Sequence, residues 1–304
     1  MPSPGRLFRG RRASPRPEPG VPLAAEADLT LVQSLRRHWP EYAVEGVFLA
    51  VFVLGAGLVS AVLQGPGVDP QALPGRRLMA GLTIGLLLMA MIYCPWGRRS
   101  GTHLNPAITL AYLRLGKIGR WDALFYVLAQ LAGGLVAVTV LRSGALLPPA
   151  SPPALLTSTI GPDGPWSAFI TQAVLSATAM LLILYTSNHA SWFRLTGVLY
   201  ALLVVLTVAC TAPLSGFGMN LARLLAVDVS ADADPLRWLN LLPPLLGMQL
   251  AVEVWRLVTG RSQPLCAKLA HNTHGRCIFR CQHPYQTRAL AMEAIRRRAS
   301  ARRR

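Results

Sequence analysis

Asn105 and Asn220 head two similar polar segments in an otherwise apolar chain, Ser100-Gly101-Thr102-His103-Leu104-Asn105-Pro106-Ala107 and Ser215-Gly216-Phe217-Gly218-Met219-Asn220-Leu221-Ala222-Arg223. Each offers Ser-Gly, a short spacer, then Asn-X-Ala opening a new apolar stretch. An asparagine there is a natural N-cap: its side-chain oxygen takes a helix N–H, and its amide hydrogens stay available to an outside oxygen. Pro106 suits the first helical position, where a missing donor costs nothing. Each helix start also carries roughly half a positive charge. Two such starts aimed at one point would donate hydrogen bonds to a water or hydroxyl and oppose cations, hydronium included. Arg223 adds a fixed charge just beyond Asn220, and in a membrane such a residue must face water or a partner.

Leu221 stands where the first segment has Pro106. Losing proline frees φ and restores an N–H that needs a partner. Glu45 is an acid inside an apolar run, so it is functional or structurally paired. No nucleophile–base pair accompanies these residues, and the reading is not enzymatic. A second cluster lies near the end of the chain, where Cys266, His271, His274, Cys277 and Cys281 are spaced C-x4-H-x2-H-x2-C-x3-C. Thiolates and imidazoles at short spacing suit tetrahedral zinc, and clustered thiolates suit an iron–sulfur centre. Arg276 and Arg280 would favour thiolate over thiol. The plain alternative is a polar tail with scattered Cys and His. If metal binds, it should order the tail against the rest of the protein, on the side where the chain ends lie.

Broken backbone at membrane depth is tolerated only where it lines a wet cavity, and a duplicated break points to a transport site between two membrane repeats. The flanking runs fit that requirement. Apolar spans fall at about Tyr42–Leu63, Leu78–Tyr93, Ala123–Leu141, Ala168–Tyr185, Leu195–Ala212 and Leu239–Val258, each near the roughly 20 residues a bilayer helix needs. Three spans per half require the second copy to be inverted, and Gln130-Leu131-Ala132-Gly133 in the third span answers Pro244-Leu245-Leu246-Gly247 in the sixth. The expected fold is an all-α membrane protein of six transmembrane helices plus two re-entrant half-helices. Residues 1–40 form a disordered basic tail, 41–260 the membrane domain, and 261–304 a Cys/His- and Arg-rich tail.

The chain has 304 residues, 52% hydrophobic and only 14% charged, yet a net charge of +17. That charge concentrates in the two ends. Basic ends flanking apolar spans mark the cytoplasmic side of a membrane protein rather than nucleic-acid binding. Both termini are therefore expected in the cytoplasm, with Arg98, Arg99, Lys117, Arg120 and Arg194 in loops on the same side and Arg76 and Arg77 dissenting. Residues 1–40 contain no apolar segment of the kind a secretory signal carries.

The two segments resemble the aquaporin, or major intrinsic protein, family, which typically carries Ser-Gly-X-His-X-Asn-Pro-Ala and Ser-Gly-X-X-Met-Asn-Pro-Ala-Arg. Glu45, Gln130, Trp238, Pro244 and Gly247 extend the likeness over about 42–259. The resemblance implies a passive channel for water or small neutral solutes such as glycerol, assembled as a homotetramer in a plasma or inner membrane. It makes Asn105, Pro106, Ala107, Asn220, Leu221 and Ala222 the meeting half-helix starts. It places Arg223, Phe217, Val208 and Ile84 (or its neighbour Gly85) around an outer constriction, and gives Glu45, His103 and Gln172 a role in supporting the loops. Strict water channels carry histidine where Val208 stands, and glycerol channels carry aspartate where Leu224 stands, so the subclass stays open. A closed-pore sensor or scaffold regulated through its tail is the competing reading.

Overall fold

In hydrocarbon a backbone segment must satisfy its own polar groups, so each apolar run becomes a helix. The computed structural model describes residues 29–64, 73–146, 163–189, 191–211, 218–230, 238–260, 263–271 and 277–282. The helices are α1 (Leu31–Gln64), α2 (Leu73–Tyr93), a short α3 (Pro95–Ser100), α4 (Pro106–Arg114), α5 (Arg120–Arg142), α6 (Gly164–Asn188), α7 (Thr196–Leu206), α8 (Leu221–Ser230) and α9 (Trp238–Val258). α7 runs on as a π-helical turn over Thr207–Thr211. Five of the described helices are long and apolar enough to cross a bilayer, and Thr196–Thr211 is a shorter apolar one. The short α4 and α8 are the two half-helices.

The packing repeats. α1 lies along α5 as α6 lies along α9, and α2 meets α7 across the middle. Each half-helix rests on the last long helix of the other half, α4 on α9 and α8 on α5. Glycine sets the closest approach in both halves. A Cβ on Gly133 of α5 would come within 2.0 Å of the Gly46 carbonyl oxygen on α1, and one on Gly247 of α9 within 2.1 Å of the Ala173 carbonyl oxygen on α6. Bare backbones in contact gain dispersion where lipid offers no hydrophobic drive.

α1 starts at Leu31, well ahead of the apolar run and inside the stretch expected to be disordered. Two local facts explain the difference. Thr30 and Gln33 form a reciprocal capping box, the Thr30 N–H donating to Gln33 Oε1 (3.0 Å) and the Gln33 N–H to Thr30 Oγ1 (3.4 Å). The first turns then bury a polar face. His38 Nδ1 lies 2.7 Å and the Tyr42 hydroxyl 2.5 Å from Asp122 Oδ1 at the start of α5, and Arg99 Nε donates to the buried Glu41 carboxylate at 3.0 Å. Hydropathy overlooks such a face.

The described parts of the C-terminal tail pack on the bundle without regular structure. Residues 263–271 and 277–282 carry no helix or strand, yet Ala267, Lys268, Leu269, Ile278 and Phe279 are buried against the bundle.

The glycine contacts give a first prediction. Gly133→Leu should destabilise the protein by about 1–3 kcal/mol, the usual cost of overpacking. Gly75→Ala, with nothing within 4 Å of the added Cβ, should be neutral or stabilising. Thermal unfolding in detergent checks both, and an unshifted midpoint for Gly133→Leu would remove the close contact from the account.

Candidate functional site

Between α3 and α4 the chain leaves the helical ladder with Gly101 at φ +97°, Thr102 at +56° and Leu104 at +48°. Such left-handed residues turn successive N–H groups toward one side. Glu45 waits there, fully buried on α1. Its Oε1 accepts from the Ser100 hydroxyl (2.8 Å) and the His103 N–H (3.1 Å), and its Oε2 from the Leu104 N–H (2.7 Å) and Gln130 Nε2 (2.9 Å). The Tyr126 hydroxyl donates to the Ser100 carbonyl at 2.6 Å. The charge is spread over four donors, which is how a buried carboxylate is tolerated. Gln172 is buried at the matching place on α6, and a Cβ on Gly218 would fall within 2.3 Å of its amide carbon. Gly218, two residues before Asn220, thus passes directly over Gln172.

Both asparagines cap as expected. Asn105 Oδ1 accepts from the Ala107 N–H (3.0 Å), and Asn220 Oδ1 from those of Ala222 (3.1 Å) and Arg223 (3.3 Å). The amide hydrogens do more than face outward, because one from each side chain crosses to the other loop. Asn105 Nδ2 donates to the Met219 carbonyl (2.8 Å) and Asn220 Nδ2 to the Leu104 carbonyl (2.7 Å). The second hydrogen of each amide meets no protein acceptor among the described residues. The N–H that Leu221 restores is taken up as well, donating to Asn105 Oδ1 at 3.3 Å. Leu221 itself joins the buried core, and Ala107 and Ala222 are fully buried.

A small cavity of about 20 Å³ lies here, lined by Phe52, Leu88, His103, Leu104, Tyr200, Val204, Met219 and Asn220. His103 closes one side. Its Nδ1 is 3.1 Å from Thr109 Oγ1, its ring stacks on Tyr112, and Nε2 lies 2.9 Å from the Ala267 carbonyl of the tail. A carbonyl can only accept, so Nε2 carries the proton.

Arg223 and Val208 are buried, Val208 on the π turn, and Ile84 is buried on α2. Gly81 and Gly85 turn toward α7: a Cβ on Gly81 would meet the Val205 carbonyl, and one on Gly85 the Val205 side chain and Ala201 carbonyl. Phe217 lies outside the described residues. In the tail, Cys266, His271, Cys277 and Cys281 bring their ligand atoms within 4.8 Å of one another, while His274 lies outside the described residues. Burial pushes the Cys266 thiol up, and hydrogen bonds from Cys266 and Cys281 hold Cys277 well below the usual thiol range. The docking role of Ala267 and Phe279 went unread in the sequence. The apolar Ile278-Phe279 pair between two cysteines was the available signal.

The profile of the family described as "Major intrinsic protein" matches residues 32–255. The chain belongs to that family. Aquaporin A of Dictyostelium discoideum is 31% identical over 186 residues, 60% of this chain and 66% of that protein. Aquaporin NIP2-3 of Zea mays is 32% identical over 189 residues, 60% of either chain. The match thus spans a little under two thirds of those relatives' own length. The lens fiber major intrinsic protein of Gallus gallus is 30% identical over 218 residues, covering 70% of this chain and 80% of that one. Among solved structures, the aquaglyceroporin from Plasmodium falciparum superposes with a TM-score of 0.60 over 73% of this chain and 97% of its own, at 18% identity. At that identity the likeness speaks for the fold alone, and the fold is that of the major intrinsic proteins.

Glu45→Gln should expose how far the first loop depends on the carboxylate. An amide nitrogen would replace one acceptor and face donors, and each orphaned buried donor costs about 1–3 kcal/mol. Unfolding in detergent should show that loss, and an unchanged midpoint would mean the loop holds itself.

Proposed function

We propose that this protein is a passive channel for water and small neutral solutes of the glycerol type, excluding ions and protons. The crossed pair Asn105 and Asn220 carries the reading. Asn220 and Leu104, the residue just before Asn105, line one small cavity, and each asparagine keeps an amide hydrogen for a passing oxygen. Their combined positive ends oppose cations. Arg223 serves as the fixed charge of an outer constriction with Val208, Ile84 and Phe217, whose apolar character favours solutes larger than water. Glu45, His103 and Gln172 support the loops. The protein spans the bilayer with both termini in the cytoplasm and assembles as a homotetramer, as the family resemblance implies. The cysteine–histidine cluster of the tail fits a zinc or iron ion.

One observation favours a second reading, a closed membrane sensor of the same fold. The cavity beside the asparagines holds about 20 Å³, room for little more than one water, and the tail lies against His103.

Stopped-flow light scattering on proteoliposomes, with water, glycerol, urea and ammonia in turn, separates the two. Chelated, reduced full-length protein should conduct at least one of them above empty vesicles. Asn105→Ala and Asn220→Ala should each lower that flux roughly five- to tenfold, the effect of one lost hydrogen bond of about 1 kcal/mol. Normal flux in a well-folded double variant would end the asparagine assignment. Arg223→Val should admit larger solutes or protons, and an unchanged solute panel would place Arg223 outside the path.

A further inference from the structure

We propose that Cys266, His271, Cys277 and Cys281 form one tetrahedral zinc site, and that the loaded site fastens the tail over the His103 side of the pore. The second half rests on the channel reading; the first does not.

The donor geometry supports zinc. Cys266 Sγ and Cys277 Sγ are 3.6 Å apart, and His271 Nε2 is 3.0 Å from Cys281 Sγ. Zinc–sulfur bonds of about 2.3 Å in a tetrahedron place two sulfurs roughly 3.8 Å apart, and a sulfur and a nitrogen slightly closer. The sulfur–sulfur edge is therefore close to final length, the nitrogen–sulfur edge need open by only about half an ångström to admit the ion, and the two sulfurs stand well beyond the roughly 2.05 Å of a disulfide. Three thiolates and an imidazole, with no oxygen donor, match a closed structural zinc site. Iron–sulfur clusters generally take four cysteines, or two histidines with two cysteines, and neither set is present among the described ligands.

The surrounding chain also fits a metal-held fold. Residues 263–271 and 277–282 have no helix or strand to organise them, yet Ala267, Leu269, Ala270, Ile278 and Phe279 are buried. Segments this short lack the core to fold alone, and a bound metal can supply the missing free energy. The Gln282 N–H donates to the Leu265 carbonyl at 2.7 Å, tying the outer ends of the two segments together. Three thiolates and Zn²⁺ sum to one negative charge, and Lys117 and Lys268 stand within electrostatic reach of the sulfurs.

Ligands and docking residues alternate along the chain. Beside Cys266, the Ala267 carbonyl accepts from His103 Nε2 at 2.9 Å, and the Leu269 N–H donates to the Gly101 carbonyl at 3.2 Å. Between Cys277 and Cys281, Phe279 stacks on the His103 ring with centroids 5.2 Å apart, and the Arg280 N–H donates to the Lys117 carbonyl at 2.9 Å. Fixing the four ligands therefore fixes the surface that grips His103, and His103 lines the cavity at Asn220. Zinc closes the path by holding this strip in place.

Elemental analysis of reduced, full-length protein tests the site. One zinc per chain is expected, falling to background in C277S/C281S, and cobalt(II) in its place should show the intense visible absorption of a tetrahedral thiolate complex. Absence of stoichiometric zinc after zinc addition, or a disulfide among the three cysteines under reducing conditions, overturns it. Stopped-flow flux with and without zinc tests the latch. Zinc-loaded vesicles should lose most of the flux seen after chelation. Phe279→Ala, which removes a docking residue and no ligand, should keep its zinc and conduct in both states. Equal flux in loaded and chelated wild type, with zinc bound, overturns the latch and leaves the site standing. Flux absent from chelated wild type and from Phe279→Ala alike counts against the channel reading itself and removes the latch with it.

Discussion

A chain that leaves the helical ladder within a bilayer must find partners for its backbone inside the protein, and the first re-entrant loop finds them on one carboxylate. Glu45 accepts two backbone N–H groups, a hydroxyl and an amide, three of the donors from the loop at Ser100–Leu104 and one from Gln130 on α5. That convergence makes left-handed conformations at Thr102 and Leu104 sustainable, although neither residue adopts them readily. Without the loop in this shape, Asn105 would not stand at the head of α4, and the two halves would lose their meeting point.

The meeting point is reciprocal without being symmetric. Each asparagine donates to the carbonyl just before the other, so either loop holds its partner in register. The symmetry breaks at Leu221, whose N–H turns Asn105 Oδ1 into a shared acceptor for both half-helices. A proline there would abolish that bond and restore the equivalence. Its loss therefore exchanges a rigid ring for one more hydrogen bond between the halves.

Most of the fold was legible because a bilayer leaves few choices. The six runs, the paired Ser-Gly-to-Asn segments and the match of Gln130–Gly133 to Pro244–Gly247 were enough to establish an inverted repeat of helices. What stayed hidden depended on polar groups far apart in sequence. The start of α1 carries Ser34, His38 and Glu41 on its buried face, which hydropathy reads as a tail, although the Thr30–Gln33 capping box was there to see. Val208 and Ile84 could be proposed only by counting, and the π turn at Thr207–Thr211 is where such counting slips, because each i→i+5 bond takes in one more residue per turn. The spacing of Cys266, His271, Cys277 and Cys281 gave the cluster but not its attachment to His103.

The order in which the chain is made gives that attachment another meaning. The strip formed by 263–271 and 277–282 follows all six spans in the sequence, so it is synthesised after both halves. Its docking partners come from each half, Gly101, His103 and Lys117 from one and Asn188, which accepts from the Leu265 N–H, from the other. Only a protein whose halves have already packed correctly presents all four in one place. A segment made after both halves thereby reads whether they have come together.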